Sequence, residues 1–102
     1  RERGGVGGPW LGSQVSKGEP SDPYLMTGYD RKQLLLRHDA ATAVAFTLEA
    51  DLCGDGQWTV VRRFEVPGGK AETFNFRRAW SAYWVRLRTD ADCVATAQFE
   101  YR

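Results

Sequence analysis

Residues 42–50, Thr42-Ala-Val-Ala-Phe-Thr-Leu-Glu-Ala50 (TAVAFTLEA), alternate between large apolar and small or polar side chains. Val44, Phe46 and Leu48 share one parity, Thr47 and Glu49 the other. A strand turns successive side chains to opposite faces, so a period of two marks a half-buried strand. The pattern recurs along the chain. Residues 57–66 (QWTVVRRFEV) set Trp58, Val60, Phe64 and Val66 on one side, with a break at Arg62. Residues 72–77 (ETFNFR) oppose Phe74 and Phe76 to Thr73 and Asn75. Residues 93–102 (CVATAQFEYR) oppose Cys93, Ala95, Ala97, Phe99 and Tyr101 to Thr96, Gln98 and Glu100. An earlier strand runs from Lys32 to His38, and Trp80 to Arg88 (WSAYWVRLR) supplies another.

Turn chemistry separates these runs. Asp55-Gly56 is a strong hairpin marker, Pro67-Gly68-Gly69 stops one strand and reverses the chain, and residues 89–92 form a polar loop. Five or six short strands at this spacing predict an all-β fold, an antiparallel β-sandwich of immunoglobulin-like or jelly-roll type. With 102 residues the chain is one domain with one core. Residues 1–20 look different, because Gly4, Gly5, Gly7 and Gly8, then Pro9, read as an extended, linker-like lead-in. The sandwich is therefore expected over residues 21–102. The opening Arg1 suits a processed product or an excerpt of a longer protein.

Composition argues against several functional classes. A net charge of +1 provides no field for a nucleic-acid groove, and of 14 basic residues only Lys17, Lys32 and Lys70 are lysine. The longest nearly apolar run, residues 40–48, is too short to insert in a membrane as a helix. Catalysis finds little support. The single histidine, His38, reads as a surface residue at a strand end, and no G-x-S-x-G or P-loop motif is present. No cofactor and no metal are expected. Glu49, Asp51 and Asp55, around the turn at residues 51–56, are the weak calcium candidates, since that ion wants several oxygens from a turn. Cys53 and Cys93 could be bridged in an oxidising compartment. Parity turns Cys93 inward and leaves Cys53 one step out of phase, which favours two free, separately packed thiols.

The parity of residues 80–88 concentrates the functional question. Tyr83, Val85 and Leu87 form a core set, whereas Trp80, Trp84, Arg86 and Arg88 share the other face. Two arginines cannot be buried unpaired, so this face is expected to be partly exposed, with a guanidinium stacked on Trp84. Trp80, Trp84, Arg86 and Arg88 are thus the candidate ligand-binding residues.

Residues 21–102 also resemble, through EPSDPYLMTGYDRKQLLLRHD, FTLEADLCGDGQW, FEVPGG and SAYWVRLRTDADCVATAQFEY, the C-terminal β-sandwich module of large secreted bacterial β-propeller proteins. That group is linked to action on polysaccharides. The resemblance implies a secreted, non-catalytic accessory module that packs on a neighbouring domain or binds glycan. It also implies a docking junction at Tyr24, Leu25 and Met26. Trp10 is expected to plug the lead-in onto the domain edge. The alternative is a structural or assembly subunit whose N-terminal arm adds a strand to another copy's sheet edge.

Overall fold

A computed structural model describes residues 5–25, 32–76 and 84–101, and every regular element among them is a strand. There are eight: β1 (Gly5–Val15), β2 (Tyr24–Leu25), β3 (Lys32–His38), β4 (Val44–Asp51), β5 (Thr59–Val66), β6 (Ala71–Asn75), β7 (Trp84–Thr89) and β8 (Cys93–Tyr101). They form two four-stranded antiparallel sheets, ordered β1-β8-β3-β6 and β2-β7-β4-β5. The expected sandwich is present, and of the two expected types this strand order is that of the jelly roll.

Only β4 and β5 are consecutive strands lying side by side in one sheet. Asp55-Gly56 closes that hairpin, with Gly56 at φ 82°. Pro67-Gly68-Gly69 stops β5, as expected, and carries the chain across to β6 in the opposite sheet. A Cβ on Gly68 would collide with the carbonyl of Ala41, so the crossing needs glycine there. The crossovers sew the sheets together, and aspartates pin them. Asp90 accepts the main-chain N–H of Ala45, Asp39 that of Val94, and Asp92 that of Lys17.

Alternation fills the space between the sheets as read. Val44, Phe46 and Leu48 of β4, Val85 and Leu87 of β7, and Cys93, Ala95, Ala97 and Phe99 of β8 are all buried. Leu34 and Leu36 of β3 join those of β8 in one layer and meet β4 and β7 in the other. Phe64, Phe74 and Phe76 close one side of the sandwich with edge-on ring contacts at 5.2 and 5.0 Å. The Arg62 guanidinium lies 4.9 Å from the Phe74 ring centre and covers that seam.

The lead-in is a correction. Residues 5–15 are not a linker but an edge strand, paired with β8 from Gly5↔Tyr101 to Val15↔Cys93. The domain therefore does not begin near residue 20. Glycine was misleading because its work here is to bend a strand: the register shifts between Gly7 and Trp10 and again between Trp10 and Ser13. A Cβ on Gly8 would overlap the Ala97 carbonyl, and Gly12 adopts φ 57°. Trp10 is likewise no edge plug, being 7% exposed in the core with its ring edge-on to Phe46 at 6.2 Å. Residues 16–23 then run along β7, where Gly18 N–H donates to Thr89 O and Ser21 N–H to Leu87 O. Ser21 Oγ accepts the Leu87 N–H at 3.0 Å, so a side chain stands in for a missing ladder carbonyl.

Candidate functional site

The face expected to matter lies on the outer side of the β2-β7-β4-β5 sheet. Val85 and Leu87 point into the core, which turns Trp84, Arg86 and Arg88 outward. Register places Glu49 of β4 opposite Arg86, and Val60 of β5 opposite Glu49. The two arginines are half-buried, as the parity of the strand requires, and both are paired. Glu49 Oε1 accepts from Arg86 Nε at 2.7 Å and from Arg88 Nε at 3.2 Å. Arg88 Nη1 also donates to Gly18 O at 2.7 Å, tying the network to the segment that precedes β2. Burial pushes the Glu49 carboxyl up, but the hydrogen bonds and charges of Arg86 and Arg88 outweigh it and hold it below its ordinary value.

The stacking partner also differs from the expected Trp84. Arg86 lies over Trp58, 4.2 Å from the ring centre. Alternation places Trp58 inward, and the reason it faces outward is a bulge. Leu48 pairs with Arg62 and Glu49 with Val60, so Val61 is an extra residue and parity inverts before it. Val60, also assigned inward, is 61% exposed for the same reason. The broken alternation at Arg62 was the signal that could have located the inversion. The patch therefore comprises half-buried Trp58 and Trp84, exposed Val60, and two guanidiniums sharing one carboxylate. Trp80 lies outside the described residues.

The other sequence candidates are dispersed. Tyr24 stacks on Phe99 at 5.2 Å and 12°, packing into its own domain instead of outward. Leu25 pairs with Trp84 through the main chain of β2, while Met26 lies outside the described residues. Asp51 is buried, and its carboxylate accepts the N–H groups of Gly54 (2.8 Å), Asp55 (3.1 Å) and Gly56 (2.8 Å). Burial opposes ionisation there, yet these three bonds hold the carboxyl below its ordinary value. Asp55 Oδ1 in turn accepts the Gln57 N–H. The three calcium candidates thus serve an ion pair and a turn. Among the described residues no three of His, Cys, Asp and Glu are grouped to hold a metal.

His38 is not on the surface. It is 8% exposed, its Nε2 is 2.8 Å from Val66 O, and its Nδ1 accepts the Ala40 N–H at 3.0 Å. With Nδ1 accepting, the ring proton lies on Nε2 toward Val66 O, and both ring nitrogens are used in holding the β3–β4 crossover. Cys53 and Cys93 are both free, the first exposed on the β4–β5 turn instead of packed, the second buried at the start of β8. No helix among the described residues is long and apolar enough to cross a membrane.

Fold and patch together define a jelly-roll β-sandwich with a preorganised tryptophan–arginine face. No family model, curated protein or solved structure matches the chain.

Proposed function

We propose that the chain is a non-catalytic accessory module of a secreted protein that docks, through the Trp58–Trp84–Arg86–Arg88 face, on a neighbouring protein domain. One observation carries the reading: the Arg86 guanidinium is clamped between the Trp58 ring and Glu49. Tryptophan and arginine dominate the energetics of protein interfaces, and side chains already immobilised lose little entropy on binding. Two guanidiniums against one carboxylate leave a positive charge over, beside the apolar surface of Val60. The complementary surface is apolar with a carboxylate at its centre. A sugar suits this face less well, since Arg86 already occupies a ring face of Trp58 on which a pyranose would stack. Strand addition by the N-terminal arm has less support, because residues 5–15 pair with β8 of their own chain.

A photo-reactive residue at position 60, with the protein produced in its own source cells, tests the reading. The expected product is one discrete adduct, within or between chains, mapping to an acidic, apolar protein surface. Trp58→Ala or Arg88→Glu should abolish it while circular dichroism stays unchanged. Adducts at position 60 that match those from position 72, on the far edge strand, or that persist in both variants would overturn the proposal.

A further inference from the structure

The outer face of the other sheet carries a depression of about 230 Å³, bordered by Gln33, Leu35, Gln98, Phe99 and Glu100. It lies on β3 and β8, the two central strands of the sheet, which are held by ladders on both sides. Register sets the arrangement. Leu35 stands opposite Gln98, and Gln33 opposite Glu100, so an apolar side chain is bordered by two amides and a carboxylate. The Phe99 ring belongs to the core on the opposite face, so that residue contributes main chain alone.

The hydrogen-bonding capacity is specific. The Gln98 Nε2 group donates to Trp10 O at 2.8 Å and to Ala97 O at 3.3 Å, which spends both its hydrogens. Its orientation is thereby locked, and only the Oε1 acceptor remains to offer. Glu100 adds acceptors, while Gln33 offers both a donor and an acceptor. Such a set suits groups that donate and accept at adjacent positions, as vicinal hydroxyls do. Leu35 provides the apolar contact that one face of a sugar ring requires. The acceptor-rich border with its carboxylate disfavours phosphate and other anions. The volume falls below the roughly 300 Å³ at which pockets for drug-sized ligands begin, which limits the occupant to about one ring.

We infer that this depression is a binding subsite for a single sugar ring, seated on Leu35 and hydrogen-bonded by Gln33, Gln98 and Glu100. It is independent of the docking face, which lies on the opposite sheet. The affinity of one such ring is expected to be weak, in about the millimolar range.

Titration of the ¹⁵N-labelled protein with neutral hexoses, N-acetylhexosamines, their disaccharides and butylamine tests the assignment by amide shifts. At least one sugar should give saturable shifts centred on residues 33, 35, 98 and 100. Gln33→Ala and Leu35→Asp, both at half-exposed positions, should each weaken binding at least tenfold while the remaining spectrum stays unchanged. No saturable shift with any sugar would overturn it. So would shifts centred on Trp58 and Trp84, or butylamine binding more tightly than every sugar.

Discussion

Glu49 is the residue on which the tryptophan–arginine face depends, because one carboxylate oxygen receives both Arg86 and Arg88. The group is partly buried, with side-chain exposures of 13% for Glu49 and 19% for Arg86. Removing the carboxylate leaves two guanidiniums without their counter-charge, a larger loss than breaking a fully exposed pair. Glu49→Gln is expected to lower stability by about 1–2 kcal/mol in urea unfolding at neutral pH, with Arg88→Gln costing less. The pH dependence follows from the lowered carboxyl. Its contribution is fully present above the ordinary carboxylate range and is lost as pH falls through the lowered native value. Glu49→Gln should therefore flatten the acid limb of the stability curve. Equal stability and an identical acid limb in the variant would show that the ion pairs contribute nothing. The paired arginines were legible in part: parity placed Arg86 and Arg88 outside and excluded their burial alone. Their partner was not, because Glu49 is 37 residues away from Arg86 and only sheet register brings the two together.

Elements were legible wherever alternation ran unbroken. β4, β7 and β8 follow a period of two, and their described inward residues are the ones the pattern selects, whereas three successive leucines in β3 carry no parity. The failures share one physical cause, the bulge, which changes parity without changing composition. In β5 a single extra residue, Val61, sends Trp58 and Val60 outward. In β1 two register shifts hide an 11-residue strand within a glycine-rich stretch. Two of the glycines of β1, Gly8 and Gly12, can be separated by experiment. Gly8→Ala forces a methyl into the Ala97 carbonyl, within 2.9 Å of Gln98 Cα, and is expected to cost roughly 1–3 kcal/mol. Amide exchange along β8 should rise with it, as β1 is pushed off its partner. Gly12→Ala meets open space and carries only the strain of its positive φ, about 1 kcal/mol, with the β8 ladder still protected. Equal exchange in the two variants would mean that β1 does not depend on the close approach at Gly8.

At the scale of the molecule, sandwich architecture was legible and the jelly-roll order was not. A turn sequence specifies that the chain reverses, but not whether it returns to the same sheet or crosses to the other. Pro67-Gly68-Gly69 crosses, and the crossing seats Gly68 against the Ala41 carbonyl, a fit between distant segments that no turn motif encodes. The two thiols report on the assembly of the two layers. Cys93 is buried, and burial, followed by the negative charges of Asp39, Asp92 and Asp90, raises its pKa and suppresses the reactive thiolate. Native protein is expected to consume one equivalent of thiol reagent rapidly at Cys53, and the second only as the sandwich opens. Urea should make the two equivalent. Rapid loss of both thiols without denaturant would show that the end of the sandwich near Cys93 opens independently of the rest.

The first and last strands are neighbours, with Gly5 directly across from Tyr101 in an antiparallel ladder. Their hydrogen bonds run perpendicular to the strands, so tension applied through these two points loads the bonds one after another instead of all together. A sandwich pulled this way unzips from its first rung. As a spacer under mechanical load the domain would yield early and lengthen, which fits a module seated on a neighbour better than a link in a tether.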